Sequence, residues 1–420
     1  MRAERGTIYD WNQHYGSQIP FRSPKNHTIE IDDETLRDGL QGTQIKQHPT
    51  VEQKRNYVDW ASQFVDHFDI GYPGSEEAHK REIHDLIQYF LSKKHNKVTF
   101  SAAARPVKSD IASIIDLSGK LGYAVEVDMF LDGSTYRADV EGWKREDMLK
   151  QLAENIETSK KNKLPVMFVA ERATATPPDE LYEMLKLAVE CGADRLCIAD
   201  TNGKSLPEGI SNIFRWGYKN LAKKYPEIKW DAHFHNDRGM ALANCLKAGQ
   251  EGVDRIHATT FSIGERSGNV DLVHLLVNLN LMGLRKDDPK TLEKLSLFTK
   301  AASDILNNPI PENTPMYGKN AFATASGVHA AAIRKEAKGD SRILYFAFEP
   351  GIIGQKPVVD VGSFSGKANV LSKLEELGID PVGKDKMVQD ILKEAKQARG
   401  LLTETTIRGI VKRYMNGNHQ

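Results

Sequence analysis

The sequence predicts an α/β protein in which a (β/α)8 TIM barrel is followed by a smaller, mainly helical C-terminal annex. Eight short apolar runs rich in β-forming residues recur between residues 28 and 260, and the segments between them show helical periodicity. No glycine-rich dinucleotide turn follows the first run, so a doubly wound open sheet is the weaker interpretation.

The eight runs are the predicted strands, and each is short enough for one barrel strand. They are Thr28–Asp33, Phe68–Tyr72, Lys97–Ala102, Tyr123–Phe130, Leu164–Ala170, Asp194–Asp200, Lys229–His235 and Asp254–Thr260. Helices are predicted between them, for example at Val51–Phe64, at Pro178–Cys191 with a stop at Gly192, and at Ala241–Ala248 with a stop at Gly249. This alternation predicts a barrel that closes near residue 285.

Three segments are expected along the chain: an irregular N-terminal arm at 1–27, the catalytic barrel at 28–285 and the helical annex at 286–420. The annex is predicted to contain four helices, with Ser365 as the N-cap of the second. These helices are Thr291–Leu306, Ser365–Leu377, Lys384–Ala398 and Thr403–Met415.

Composition argues against several classes of function. Lys and Arg together number 57, as do Asp and Glu, so the chain lacks the basic excess of a nucleic-acid-binding protein. No apolar run approaches the roughly 18 residues of a membrane helix, and the first residues carry no apolar secretory signal. Cys191, Cys197 and Cys245 form no CxxC pair, which favours reduced thiols and a cytoplasmic location.

Polar residues follow the predicted strands, where a barrel of this kind carries its functional side chains. They are Arg37, Asp38 and Gln41 after the first strand, Glu171 after the fifth, Thr201 after the sixth and Asn269 in the loop after the eighth. Arg37 is interpreted either as a salt bridge at the barrel rim or as a group that binds an oxyanion or a substrate carboxylate. Glu171 and Thr201 suit hydrogen bonding to a substrate, although each is equally well explained as a structural residue.

His233 and His235 lie at the end of the seventh predicted strand. Residues i and i+2 of a strand point to the same face, so the two imidazoles project together into the barrel mouth. With Asp38 they form a two-histidine, one-carboxylate set that leaves positions open on a bound metal, and Asn269 adds an amide oxygen. The alternative for such a pair is a structural, hydrogen-bonded decoration of the strand.

Five motifs in this order resemble the family of 2-isopropylmalate, homocitrate and citramalate synthases. Asp33–Gln41 resembles the first-strand signature, and Asp69–Pro73 resembles the second-strand element with Asp in place of Glu. His233–Met240, Gly264–Asn269 and Ser326–His329 resemble three later elements of the family. The match runs in register from about residue 28 to residue 370.

The resemblance implies a metal-dependent Claisen condensation of acetyl-CoA with a 2-oxo acid, followed by thioester hydrolysis. One divalent cation per chain (Mg, Mn or Zn) would be bound by Asp38, His233, His235 and Asn269. The implied catalytic residues are Arg37, Glu171, His329 and Tyr345, and the implied substrate-binding residues are Gln41, Arg137 and Thr201. A homodimer is also implied, in which the annex brings His329 and Tyr345 to the barrel of the partner subunit.

The sequence gives conflicting indications of which 2-oxo acid is the substrate. Tyr136 and Arg137 stand where the family carries a substrate-selecting His or Leu, and an arginine favours an acidic substrate such as oxaloacetate or 2-oxoglutarate. Residues 172–176 read RATAT where an acidic element is common. The run Gly264–Leu279 resembles the 2-isopropylmalate synthases, so 2-oxoisovalerate is the first candidate substrate. The alternatives are 2-oxoglutarate, pyruvate and oxaloacetate, the substrates of homocitrate, citramalate and Re-type citrate synthases.

Two other activities rank lower. A carbon–carbon lyase of the hydroxymethylglutaryl-CoA type carries a catalytic Cys in its glycine-rich loop, whereas Gly264–Asn269 contains none. A non-catalytic scaffold barrel would not need the complete set of metal-binding residues. The chain is also expected to lack the leucine-sensing domain of longer isopropylmalate synthases, and with it feedback control through that domain.

Overall fold

The computed structural model describes residues 28–93, 97–336 and 344–415. The arm predicted at residues 1–27 lies outside the described residues. None of the helices in the described part of the chain is long and apolar enough to cross a membrane.

Eight parallel strands close into a barrel in chain order, with β1 beside β8, and this confirms the predicted fold class. The strands are β1 Glu30–Asp33, β2 His67–Asp69, β3 Thr99–Ala104, β4 Glu126–Leu131, β5 Val166–Ala170, β6 Arg195–Asp200, β7 Lys229–Phe234 and β8 Arg255–Ala258. Closure sets Glu30 opposite Arg255 and Asp33 opposite Ala258. All eight strands therefore end at one rim, which collects the polar residues that follow them.

Helices follow the strands and cover the outside of the barrel. They are α1 Val51–Ala61, α2 Glu77–Leu91, α3 Lys108–Leu121, α4 Thr135–Glu141, α5 Arg145–Lys161, α6 Pro178–Glu190, α7 Pro207–Gly217, α8 Ala241–Glu251 and α9 Leu272–Leu281. The predicted stop at Gly249 is wrong, because α8 continues to Glu251 and ends at Gly252, whose φ of 90° suits a glycine C-cap. Gly249 instead packs against Ile29, where a Cβ would lie 3.0 Å from the Ile29 side chain.

The inside of the barrel is charged, whereas barrel interiors are usually filled by branched apolar side chains. The buried Arg255 guanidinium donates to Asp231 at 2.7 Å and to Glu126 at 2.5 Å. Arg195 donates to the same Asp231 at 3.0 Å and to Glu30 at 3.1 Å. Buried charges are usually paired in this way, and these residues form a network of ion pairs inside the barrel.

The chain forms two compact units. One extends to Asp287 and includes Asp304–Asn308, and the other consists of Asp288–Ser303 and the chain from Pro309 onward. The elements after the barrel are α10 Pro289–Leu292, α11 Leu295–Leu306, β9 Ala323–Thr324, α12 Gly327–Glu336, β10 Val358–Val359, α13 Lys367–Glu376, α14 Asp385–Gln397 and α15 Glu404–Met415. The helices α13, α14 and α15 share an apolar core that includes Leu374, Met387, Ile391, Ile407 and Ile410.

Two predictions for this region are wrong. The helix predicted at Thr291–Leu306 is broken at Glu293, where the backbone of Gly354 packs so closely that a Cβ would lie 2.0 Å from the Glu293 carbonyl oxygen. Ser365 is not the N-cap of α13, because Gly366 occupies that position. The Ser365 hydroxyl instead accepts from the Gly362 N–H and donates to the Ala325 carbonyl.

Candidate active site

A π-helical turn at Thr35–Gly39 follows β1 and presents Arg37 and Asp38 side by side at the rim. Such turns insert one residue into helical geometry and are frequent at functional sites. The buried Asp33 carboxylate fixes the start of the turn, since it accepts from the Thr35 N–H at 2.8 Å and from the Tyr57 hydroxyl at 2.6 Å. The local fold therefore places a carboxylate and a guanidinium at the end of the first strand.

His233 and His235 lie at the end of β7 and face the same cavity, as their spacing predicts. Their Nε2 atoms are 3.2 Å apart, and these atoms lie 3.8 and 3.7 Å from Asp38 Oδ2. Burial and the neighbouring His233 lower the pKa of His235 to about 4, which favours the neutral form of the ring that binds metals. Burial would raise the pKa of Asp38, but Arg37 and His233 lower it and keep the carboxylate ionised.

Asn269 completes this group of candidate metal ligands. Its side-chain amide donates to Asp38 Oδ2, and its Oδ1 is buried without a hydrogen-bond partner among the described residues. Ligands that lie about 2 Å from a common ion are separated by roughly 3–4 Å, which is the spacing of the carboxylate and the two imidazoles. The donor set fits one divalent cation with open positions for a substrate.

The loop Gly264–Asn269 holds Asn269 in place and depends on its glycines. Gly268 has a φ of 75°, and a Cβ there would lie 1.6 Å from the Ser262 carbonyl oxygen. Arg266 crosses the loop and donates to Asp237 at 2.7 Å. The backbone N–H of Asn236 donates to the Gly268 carbonyl at 2.8 Å, which ties the loop to the end of β7.

Glu34 also lines the cavity that His233 and His235 face, although the sequence analysis did not single it out. Its two carboxylate oxygens lie 2.8 Å from the Nδ1 atoms of His233 and His257, and Arg37 donates to it at 2.6 Å. Burial would raise the pKa of Glu34, but Arg37, His233 and His257 hold it well below the usual value. The ionised Glu34 carboxylate lies 2.8 Å from His233 Nδ1, a contact that favours a proton on Nδ1 and leaves Nε2 available to a ligand.

Arg37 is fixed by three carboxylates. Its Nε donates to Asp69 at 2.5 Å, and its two terminal nitrogens contact Glu34 at 2.6 Å and Asp38 at 3.3 Å. A guanidinium has five N–H donors, so these contacts leave two for a ligand. Arg37 is thus both a rim salt bridge and a group with donors available at the cavity.

One cavity of about 260 Å³ brings most of the predicted site residues together. The predicted residues on its wall are Arg37, Asp38, Gln41, Glu171, Thr201, His233 and His235. An adjoining cavity of about 700 Å³ shares Phe130 and Glu171 with the first. Burial and the nearby Asp132 raise the pKa of Glu171, which lies where the two cavities meet.

The remaining predicted residues lie elsewhere. Arg137 lines the larger cavity, where its guanidinium pairs with Glu141 at 2.9 Å and lies 5.9 Å from the Trp143 ring. His329 and Tyr345 belong to the second unit, where their rings stack with centroids 3.9 Å apart.

Comparison with known proteins identifies relatives over most of the chain. Residues 28–302 match the model of the HMGL-like family. A probable 2-isopropylmalate synthase of Methanopyrus kandleri is 30% identical over 88% of this chain and 69% of its own length, and a homocitrate synthase of the same organism is 28% identical over 91% and 92%. An (R)-citramalate synthase of Aquifex aeolicus is 32% identical, and the chain spans about half of it, 47%.

Solved structures show the same fold at lower identity. A hydroxymethylglutaryl-CoA lyase from Pseudomonas aeruginosa matches with a TM-score of 0.56 and 18% identity, over 67% of this chain and 94% of that one. At this identity the likeness supports the barrel fold alone.

Proposed function

This chain belongs to the HMGL-like family and is related to the 2-isopropylmalate, homocitrate and citramalate synthases; from that premise we propose that it condenses acetyl-CoA with a 2-oxo acid in a metal-dependent reaction. The observation that carries the proposal is the convergence of Asp38, His233, His235 and Asn269 at the barrel rim. A divalent cation bound there supplies Lewis-acid polarisation of the keto group of a 2-oxo acid.

Side chains around the proposed metal ligands carry out the proton transfer and stabilise the developing negative charge. Glu171, at the junction of the two cavities, takes a proton from the acetyl methyl group, and the resulting carbanion attacks the keto carbon. Arg37 donates its two remaining N–H groups to the oxygen that becomes negative. The proton held by Glu171 then passes to this oxygen, which becomes the hydroxyl group of the product. Water then cleaves the thioester, which releases CoA thiol and leaves a new carboxylate on the product.

The sizes of the cavities suit two substrates of unequal size. The cavity of about 260 Å³ is called the metal-lined cavity below, because Asp38, His233 and His235 lie on its wall. It fits a small 2-oxo acid, with Gln41 and Thr201 as polar contacts. The adjoining cavity of about 700 Å³ lies in the range of cofactor sites and suits the arm of acetyl-CoA. Glu171 and Phe130, shared by both cavities, mark where the acetyl group meets the keto carbon.

Among the 2-oxo acids, 2-oxoisovalerate is the first candidate, which makes the activity that of a 2-isopropylmalate synthase, as in leucine biosynthesis. Phe130, Met167 and Val169 supply apolar wall in the metal-lined cavity for a branched side chain. Arg137, which lines the adjoining cavity and would favour an acidic substrate, is paired with Glu141. This pairing weakens the case for 2-oxoglutarate and oxaloacetate.

We also propose that the active enzyme is a homodimer in which His329 and Tyr345 act at the barrel of the partner subunit. Support comes from the family resemblance of Ser326–His329 and from the exposure of Tyr345, which is 43% accessible in the single chain. Their stacked rings present one preformed unit to such a site.

The test is release of free CoA from acetyl-CoA with Mg²⁺, Mn²⁺ or Zn²⁺ and one of four acids: 2-oxoisovalerate, pyruvate, 2-oxoglutarate or oxaloacetate. We expect metal-dependent release with 2-oxoisovalerate and a product whose mass is that of 2-isopropylmalate. The paired variant H233A/H235A should lose this activity, and His84→Ala, on the outer helix α2, should retain it. Turnover of another acid alone would reassign the substrate, and no release with any acid would overturn the proposal.

A further inference from the structure

Three buried polar side chains lie close together inside the barrel, and one of them, Asp128, lines the cavity of about 260 Å³. Asp32 lies on β1, His67 on β2 and Asp128 on β4, and their exposed fractions are 0%, 3% and 3%. In the described part of the chain, Asp32 Oδ2, His67 Nε2 and both carboxylate oxygens of Asp128 have no hydrogen-bond partner. Buried polar atoms are nearly always satisfied, so this many orphaned atoms in one place indicate a ligand.

The spacing of these atoms suits a cation. One ligand atom from each of the three side chains lies within 4.8 Å of the others. Asp32 Oδ2 and His67 Nε2 are 3.9 Å apart, which is too long for a hydrogen bond but close to the separation of two ligands on one ion. The hydroxyl of Ser101, on the intervening strand β3, is also buried without a partner among the residues described.

The outer contacts of the cluster orient its ligand atoms. Asp32 Oδ1 accepts from the Asp69 N–H at 3.0 Å, which leaves Oδ2 directed into the cluster. His67 Nδ1 lies 2.6 Å from the Thr99 hydroxyl, which leaves Nε2 directed the same way. Metal-binding histidines and carboxylates are commonly held by such second contacts.

The cations near the cluster satisfy its carboxylates only in part. Arg255 donates to Asp231 and Glu126, and Arg255 Nε and His257 Nε2 each remain 3.8 Å from Asp32 Oδ2, beyond hydrogen-bond distance. Asp128 makes no ion pair within 4 Å in the described residues. A buried carboxylate without a close ion pair or hydrogen bond needs either a proton or a cation.

We propose that Asp32, His67 and Asp128 bind a second divalent ion of the Mn²⁺ or Zn²⁺ class, distinct from the ion at Asp38, His233 and His235. Two carboxylates and an imidazole suit these ions better than they suit Mg²⁺ or Cu⁺. Asp128 is on the wall of the metal-lined cavity, so the ion has an entry path from the barrel mouth. Bound there, it joins β1, β2 and β4 and balances the excess of carboxylates. The proposal does not depend on which reaction the barrel catalyses.

The test is the number of ions bound per chain. The full-length protein is stripped with a chelator, loaded with Mn²⁺ or Zn²⁺, desalted and analysed for metal and protein content. We expect two ions in the unmodified protein, one in H233A/H235A and one in the paired variant D32N/D128N. The Asp→Asn changes keep side-chain volume and remove the uncompensated charge, which favours folding. Glu251→Gln, at a buried carboxylate already bonded to Arg215 and Ser211, is the matched control and should keep two ions.

A single ion that is lost in H233A/H235A would overturn the proposal and show that the cluster shares protons instead. Two ions retained in D32N/D128N would also overturn it. Should that variant fail to fold, a Mn²⁺ titration of the unmodified protein and of H233A/H235A, followed by electron paramagnetic resonance, decides the matter. A second class of bound Mn²⁺ that persists in H233A/H235A supports the inner site, and its absence contradicts the proposal.

Discussion

Glu34→Gln tests how the barrel holds its metal ligands. The carboxylate is 2% exposed and contacts His233 Nδ1, His257 Nδ1 and Arg37 within 2.8 Å. A glutamine of the same size keeps one acceptor oxygen, but its NH₂ group faces the N–H of either a histidine or the arginine. The change therefore removes at least one charge-assisted contact and leaves a buried donor unpaired.

Glu34→Gln is expected to lower both the affinity for the metal and the free energy of unfolding. Loss of an outer-shell partner typically lowers metal affinity about 10–100-fold, which is about 1.4–2.7 kcal/mol. Breaking a buried ion pair from one side costs about 3–5 kcal/mol of folding free energy. Burial would lower the pKa of His257, but Glu34 and Asp231 raise it to about 10. Because this folded-state pKa lies above 6.5, the stability it contributes is present below pH 6.5 and is lost as the pH rises toward 10.

The assay is competition for Mn²⁺ with a chelator of known affinity, combined with urea unfolding at pH 6.5 and pH 9.5. Glu30→Gln is the matched control, since Glu30 lies on β1, four residues before Glu34, but is partly exposed and pairs with Arg195 at 3.1 Å. We expect the control to bind Mn²⁺ like the unmodified protein. Wild-type Mn²⁺ affinity in a folded Glu34→Gln protein would refute the assignment of Glu34 as the residue that orients His233.

Three further predictions concern other parts of the site. Glu171→Gln should slow CoA release about 10²–10⁴-fold without loss of bound metal. Because the base must be ionised and the pKa of Glu171 is raised, the rate of CoA release should fall as the pH drops through a value above 4.5. Asp132→Asn should move this acidic limb of the pH–rate profile to lower pH, because Asp132 contributes to the raised pKa. Gly268→Ala should displace Asn269 and weaken Mn²⁺ binding in the chelator assay, whereas Gly283→Ala, at a similar φ of 70° but with open space around the new Cβ, should not. His329→Ala mixed with H233A/H235A should recover CoA release, because a mixed dimer then has one complete site; no recovery would place His329 outside a shared site.

The barrel and most of its rim could be predicted from the sequence because both depend on local patterns. The strands are short apolar runs, and the two histidines at i and i+2 are constrained to share a face. Helix ends were harder to predict: α8 passes through Gly249 because that glycine is needed for close packing against Ile29, and the sequence does not distinguish packing from termination.

The charged interior could not be predicted, because a carboxylate at a strand end can face either the barrel or the helices. Asp32 and Glu34 face inward while Asp33 binds Tyr57, and this is settled only by the register of β1 against β8. The alternation of side-chain direction along a strand places Glu34 on the same face as Asp32, and this was the available signal that Glu34 faces the barrel interior. The partner of Arg137 was likewise not visible, since its pairing with Glu141 depends on α4 forming a helix with i, i+4 contacts.

The most direct test of the central claim is whether a 2-oxo acid binds a metal held by Asp38, His233 and His235. Protein loaded with Mn²⁺ is mixed with 2-oxoisovalerate that carries ¹⁷O in its keto and carboxylate groups, and the Mn²⁺ paramagnetic resonance lines are recorded. Binding of the oxygens to the ion broadens these lines, and we expect broadening in the unmodified protein but not in H233A/H235A. Unchanged lines in the unmodified protein at saturating acid would contradict the account, because the substrate would then bind away from the metal.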